Sequence, residues 1–463
     1  MLPSSGDRPD ADADPDAAAH ERLRRQFDGT PYPHTPIEQS PQQETAMFYS
    51  HHLPSAFYAR DRRLIDTHDQ VILDVGCGSG VKAAILAVMN PGARVVGLDL
   101  SPKSITLAQE RAAYHHLDDR TEFHVLTLEQ VGTLGQTFDY VNCDEILYLL
   151  DHPREALQAI AAVLKPDGII RANFHNAYQR HPVYTVQAAM SWLGLRGGDW
   201  AGDRCETARD LILQFKNAVP VCKRWKLCET QSPVIQEELM MANYLLEGDR
   251  GYSVPEVFAL LAEVGLQFNA LLEPALWDVR NLFRDPDAMP EVLVTKLATA
   301  TPVERLHFKE LLHPEQRLID FWCGLQPSAA RSQPADWDDH TWAQTTVALN
   351  PLLQQSSEFQ EALRASCIGL KPLELIKLLV RGKPLKPVSA AIAPCLVPLL
   401  NGPQPLSVLV QHLQRIRPLD PATLAPVDAA NLDKTVRSLL VRLETDGVIF
   451  LLSESSRGLL LSE

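Results

Sequence analysis

The chain has 463 residues, a formal net charge of −15, 45% hydrophobic and 22% charged residues, the balance of a soluble globular protein too long for one compact core. No run reaches the ~18 apolar residues of a membrane span, and the acidic, Pro- and Ala-rich start is no signal peptide, so a cytoplasmic location is expected. The charge disfavours nonspecific binding to nucleic acid or anionic lipid. The eight cysteines lack a C-x-x-C pair or metal-ligand spacing, so neither zinc nor a disulfide framework is expected.

Residues 1–25, with Asp7, Asp10, Asp12, Asp14 and Asp16 among alanines and prolines, have the composition of a disordered acidic tail. Residues 26–45 form a Pro-rich strap whose prolines impose an extended or turning path. It reads either as a surface linker or as a lid over a ligand site that brings Tyr32, His34 and Glu38 to the substrate. The stretch 45–66 suits a helix. Then Val71-Ile72-Leu73-Asp74 breaks into Gly76-x-Gly78-x-Gly80, a helical pattern with Val81, Ile85 and Val88 on one face follows, and a second apolar run ends at Asp99. Strand, glycine turn, helix, strand and acid are the first half of a nucleotide-binding α/β sheet.

A dinucleotide site needs a small residue where Val81 stands. The stretch instead resembles motif I of the class I S-adenosylmethionine-dependent methyltransferases. That resemblance implies that the main chain of Gly76, Cys77, Gly78 and Gly80 lies against the adenosine, that Asp74 faces the cofactor's ammonium, and that Asp99, followed by Leu100, accepts the ribose hydroxyls. The family's adenine-contacting acid falls at Thr127, beside Leu128, a departure from the pattern.

Further along, Ser101-Pro102 caps a helix, Phe123–Leu126 is a strand, Phe138–Glu145 is a strand with its carboxyl end at Cys143-Asp144-Glu145, and the segment on through Ile146–Asp151 looks like motif IV. The phrase Leu164-Lys-Pro-Asp-Gly168, common in this family, precedes a fifth strand, Ile169–Phe174. Strands separated by helices predict a doubly wound, mostly parallel seven-stranded α/β sheet, with ligands at the carboxyl ends of its strands. The methyltransferase domain is placed at 46–300, with a helical insertion at about 176–250 over the site. Ser253 opens a capped helix that runs to Gly265 before a strand at 267–271. A helical connector is expected over 301–345. Residues 346–463 read as an α+β winged-helix-like domain, with helices at 406–413 and about 430–445 and a hairpin of 448–452 and 459–461. This segment also resembles the regulatory domain of some bacterial protein lysine methyltransferases. Its candidate recognition helix is too evenly charged for phosphate neutralisation, so protein docking or homodimerisation is expected rather than nucleic-acid binding.

Methyl transfer demands alignment, exclusion of water, and a base only when the nucleophile carries a proton. His175, Asp144 and Tyr148 are the candidate catalytic groups, with Glu145 and Tyr184 as substrate contacts. The expected function is S-adenosylmethionine-dependent methyl transfer to a small molecule, peptide or protein. The alternatives are a non-catalytic sensor or scaffold of the same ligand and, more distantly, a nicotinamide dehydrogenase.

Overall fold

The computed structural model describes residues 15–29, 32–197, 202–226, 228–328, 333–375, 385–420 and 423–452. Its centre is a seven-stranded sheet in the order β3-β2-β1-β4-β5-β7-β6. The strands are β1 Val71–Val75, β2 Arg94–Asp99, β3 Thr121–Val125, β4 Phe138–Cys143, β5 Leu164–His175, β6 Gln267–Leu271 and β7 Leu318–Gly324. The first five pair in parallel and β7 runs antiparallel between β5 and β6. This is the mostly parallel α/β sheet expected from the sequence.

The helices of this half are α1 Pro15–Gly29, α2 Leu53–Asp61, α3 Val81–Met89, α4 Pro102–Tyr114, α5 Pro153–Val163, α6 Ala177–Trp192, α7 Gly202–Gln214, α8 Pro220–Trp225, α9 Pro233–Asn243, α10 Val254–Glu263, α11 Glu291–Thr299 and α12 Pro302–Leu312. Local signals fix several starts. Ser101 Oγ accepts the Ser104 N–H with Pro102 in the first turn, and Ser253 and Glu256 cap each other at α10. The insertion helices α6 to α9 close on a core of their own around Trp225, Met240 and Tyr244.

Two expectations are corrected, and a third falls partly on undescribed residues. The tail placed at 1–25 is helical from Pro15, because Leu23 and Phe27 pack on the sheet's core and Asp28 accepts a hydrogen bond from Ser101 Oγ; residues 1–14 lie outside the described residues. The connector at 301–345 is not wholly helical: Leu318–Gly324 is an interior strand, so the main sheet extends past residue 300 to Gly324. At the C-terminus, β8 Thr346–Leu349 lies between β9 Gln404–Pro405 and β10 Ile449–Leu452. Among the described residues β10 pairs with β8, and the expected second hairpin arm, 459–461, lies outside the described residues.

The C-terminal half adds α13 Asp339–Gln344, α14 Pro351–Gln354, α15 Ser357–Gly369, α16 Leu406–Ile416 and α17 Ala429–Thr445 around a core including Phe359, Leu409, Leu440 and Ile449. It is docked on α2. Tyr58 packs its ring against Phe450, tilted, with centroids 4.3 Å apart, accepts the Leu451 N–H at 2.9 Å and donates to Glu444 at 3.0 Å.

Candidate active site

The glycine turn between β1 and α3 needs its glycines. Gly76, Gly78 and Gly80 have φ of 64°, 52° and 81°, the left-handed region that side chains resist. The Pro-rich strap lies directly on this turn. A Cβ on Gly78 would come within 2.2 Å of the Tyr32 carbonyl oxygen, which accepts the Ser79 N–H, while Ser79 Oγ donates to the Pro33 carbonyl. Arg111 of α4 pins the strap by donating to the carbonyls of Ser79, Thr35 and Pro36. Beneath the strap is a cavity of about 410 Å³, lined among others by Phe27, Tyr32, Gly76, Cys77, Gly78 and Asp99.

Asp99 closes one end of this cavity. Its oxygens accept the N–H groups of Gly78 at 3.0 Å and Ser101 at 2.9 Å, and each keeps a lone pair for a further donor. Burial pushes its carboxyl up against these hydrogen bonds. Asp74 sits under the turn, buried, with Oδ1 accepting from Asn142 at 2.8 Å and Oδ2 without a partner. Burial raises its carboxyl to about 7, against the pull of Asn142 and Lys82.

The other end is a cluster of buried charges. Asp144 Oδ2 lies 2.8 Å from Lys82 Nζ and 3.1 Å from Arg171, and its Oδ1 accepts from Asn173 at 2.5 Å. Burial alone would raise this carboxyl, but Arg171 and Lys82 hold it well below the usual range. Arg171 also pairs with Asp320 on β7 at 2.9 Å. His51 joins this network by accepting a hydrogen bond at Nε2 from the Arg171 guanidinium at 3.2 Å, and burial together with that guanidinium lowers it to about 3. Glu145 is ion-paired with Arg317.

Beyond this cluster lies a second cavity of about 440 Å³, walled by Tyr49, Trp277, Arg171 and Asp320 among others. Tyr32, Pro33, Lys82, Asp144, Glu145 and Arg317 line both cavities. These six residues are a partition between two chambers.

The description "methyltransferase domain" belongs to the family model that matches residues 66–215. A ubiquinone biosynthesis O-methyltransferase of Haemophilus ducreyi is 32% identical over 102 residues, 21% of this chain and 42% of that protein. Residues 66–215 are similar to a methyltransferase domain. The chain spans under half the length of the Haemophilus enzyme. An uncharacterized Synechococcus protein is 27% identical over 318 residues, 68% of this chain and 73% of that one. The fold is shared well beyond the matched domain: PKMT2 from Rickettsia typhi superimposes with a TM-score of 0.60 at 15% identity, covering 91% of this chain and 78% of that one. Its complex with AdoHcy gives 0.56.

The first cavity fits S-adenosylmethionine, the cofactor that the methyltransferase resemblance implies. Its volume is that of a small-molecule site, the bare main chain of the glycine turn forms its floor, Asp99 retains free lone pairs at one end, and Asp74 leaves an orphaned acceptor beneath the turn. Of the residues expected at the site, Tyr32, Gly76, Cys77, Gly78, Asp99, Asp144, Glu145 and Tyr148 line it.

Others stand apart. Gly80 is packed against Ala108 of α4. Cys143 is buried within β4, and Leu128 lies in the core. Thr127 caps the turn that follows β3, its N–H donating to Gln130 at 3.1 Å, and Leu100 packs partly buried on the core. His34 and Glu38 are exposed on the strap. Tyr184 points its hydroxyl at Asp249, 3.4 Å away. His175 does not line either cavity: its ring stacks on Tyr148 at 3.7 Å, and both nitrogens are engaged, Nδ1 with Asp249 at 2.6 Å and Nε2 with Arg317 at 3.0 Å.

Sequence reasoning missed Lys82, Arg171, Arg317, Asp249 and the covering helix residue Phe27. A lone arginine inside the apolar run Ile169-Ile170-Arg171-Ala172 was a readable signal, since a buried cation requires a buried anion. Arg317 and Asp249 carried none.

Proposed function

We propose that the methyltransferase binds S-adenosylmethionine in the glycine-turn cavity and moves its methyl group to an acceptor held in the second cavity. The observation that carries this reading is the shared partition, which gives a donor and an acceptor separate chambers with one common wall. When bound, the cofactor supplies a methyl carbon activated by positive sulfur. The chain's own groups do the rest. Asp99 accepts the ribose hydroxyls, the Gly76–Gly78 main chain lies along the adenosine, Phe27 and Tyr32 cover the ligand from solvent, and the partition aligns acceptor and methyl.

The acceptor is a small molecule, peptide or protein. A winged-helix-like role in protein docking or homodimerisation is proposed for the C-terminal half, supported by its own core and by the packing of α16 on α17. A cytoplasmic location is supported by eight cysteines that are all free. No helix among the described residues is long and apolar enough to cross a membrane.

Incubation with methyl-labelled S-adenosylmethionine and a fractionated cell extract tests the proposal. Label should pass to at least one fraction. Tight binding of the cofactor without transfer to any fraction would favour a sensor or scaffold instead.

A further inference from the structure

The partition carries two carboxylates, and they differ in how far their oxygens are engaged. Asp144 is the more heavily engaged, with Oδ2 shared by Lys82 and Arg171 and Oδ1 accepting from Asn173. Glu145 gives Oε1 to Arg317, but the described contact of Oε2 is the Tyr148 hydroxyl at 3.5 Å, too long for a good O–H···O bond. Glu145 also has φ of 65°, a conformation that costs a non-glycine residue about 1 kcal/mol or more and persists only when its surroundings enforce it. Here Asn173 Oδ1 accepts its N–H at 2.8 Å. The carboxylate is thereby turned into the space between the cavities, both of which it lines.

What holds Arg317 against Glu145 comes from the insertion. A guanidinium only donates, so His175 Nε2, 3.0 Å from Arg317, must be unprotonated and the ring proton must lie on Nδ1, facing Asp249 Oδ1 at 2.6 Å. Asp249 is wholly buried. Its Oδ2 accepts from Arg180 at 2.6 Å and Gln187 at 2.8 Å, both on α6. The chain of contacts therefore runs from the insertion's own helix through Asp249, His175 and Arg317 to Glu145.

We propose that Glu145 takes the acceptor's proton during methyl transfer, and that Asp249 is the positioning residue that fixes it through His175 and Arg317. The inference rests on the two-chamber reading above. As the acceptor atom bonds the methyl carbon, the carbon–sulfur bond breaks and its electron pair goes to sulfur, leaving a neutral thioether. The proton on the acceptor atom passes to Glu145 Oε2. Burial would raise the Glu145 carboxyl, but Arg317 and Lys82 hold it below its ordinary value. It is ionised at neutral pH, and a weak base suffices because the acceptor's proton becomes acidic as that atom joins a cationic carbon.

Asp249→Asn separates positioning from mere support. The two donors on Oδ2 will keep the amide oxygen on their side, turning the NH2 toward His175 Nδ1. The ring must then move its proton to Nε2, where it meets the Arg317 donor. The full chain is assayed with tritiated-methyl S-adenosylmethionine and cell extract, cofactor-site integrity is checked with S-adenosylhomocysteine, and the histidine tautomers are read by ¹⁵N NMR, with His175→Gln giving the assignment. Glu145→Gln should lower kcat about 100-fold or more and leave S-adenosylhomocysteine affinity within about twofold. Asp249→Asn should lower kcat about tenfold or more and switch His175 to the Nε2–H tautomer. Should that variant fail to fold, Arg317→Lys, which cannot bridge His175 and Glu145 with one planar group, should give the same loss in kcat. Wild-type turnover in Glu145→Gln would overturn the proton-transfer role. A rate loss in Asp249→Asn with the tautomer unchanged, or wild-type turnover in Arg317→Lys, would overturn the positioning role. A wild-type chain that binds S-adenosylhomocysteine but transfers no label would remove the two-chamber reading itself.

Discussion

The two faces of the partition are built from different materials. On the cofactor side the chain uses backbone: three glycines in the left-handed region, a strap that hydrogen-bonds through its carbonyls, and one acid at a strand end. At the shared wall and on the acceptor side it uses charge, with Lys82, Asp144, Glu145 and Arg317 lining both cavities and Arg171 and Asp320 the second. A backbone site forbids added atoms and forgives changes elsewhere. A charge cluster in low dielectric is instead sensitive to losing any one member, because each removal strands a partner.

The largest expected effect tests that contrast on the charged side. Asp144→Ala leaves Lys82 and Arg171 facing each other without their shared carboxylate, and should destabilise the protein by about 3–5 kcal/mol, read as a lowered denaturant midpoint. A loss below 1 kcal/mol would mean that solvent already screens the cluster.

Asp74 joins the two sides, and its effect depends on pH. Its carboxyl is raised from an ordinary 3.8 to about 7 by burial, so between about pH 4 and 7 the folded chain binds more protons than the unfolded one. Stability contributed by this group therefore falls as pH rises through that window, and the cost is fully present above pH 7. Asp74→Asn should be nearly neutral at pH 4 and gain on the order of 4 kcal/mol over wild type above pH 7, measured as the gap between their unfolding curves. A gap independent of pH would show that Asp74 binds its proton equally in the folded and unfolded chain.

On the backbone side, Asp99→Ala removes the ribose acceptor and should weaken S-adenosylmethionine binding by about 1.5–3 kcal/mol in a calorimetric titration, with little effect on Asp144 and its partners. Unchanged affinity would place the ribose elsewhere. The smallest effect lies outside both faces. Tyr58→Phe loses the hydrogen bonds to Glu444 and Leu451, about 1 kcal/mol. Hydrogen exchange should quicken at 449–452 and stay unchanged in the glycine turn.

The backbone side was the legible one. A glycine turn, an N-capped helix and apolar runs are local patterns, and β1, β2, β4, α4 and α10 follow from residues within a few positions of one another. The strand β7 was misread because Leu318, Ile319, Phe321 and Trp322 fall at helix-like spacing. As an interior strand covered on both faces it has no alternation to betray it. The helix α1 was read as disordered because its composition is poor in apolar residues, and only the packing of Leu23 and Phe27 makes it fold. On the charged side, Asp144 and Glu145 could be picked out at the end of a strand, but their partners could not. Arg317 reaches His175 across 142 residues and Asp249 reaches it across 74, and no spacing rule connects such positions. The same distance hid the inertness of His175, a histidine that looked free because both of its partners were remote.

The central claim is that one wall separates a cofactor chamber from an acceptor chamber. The measurement that tests it most directly is a crystal structure of the full chain with S-adenosylhomocysteine. The account predicts the ribose on Asp99 and the sulfur at the partition beside Tyr32 and Glu145, facing the cavity of Tyr49 and Trp277. A sulfur turned away from that partition, or a ligand lodged in the Tyr49 and Trp277 cavity itself, would contradict it.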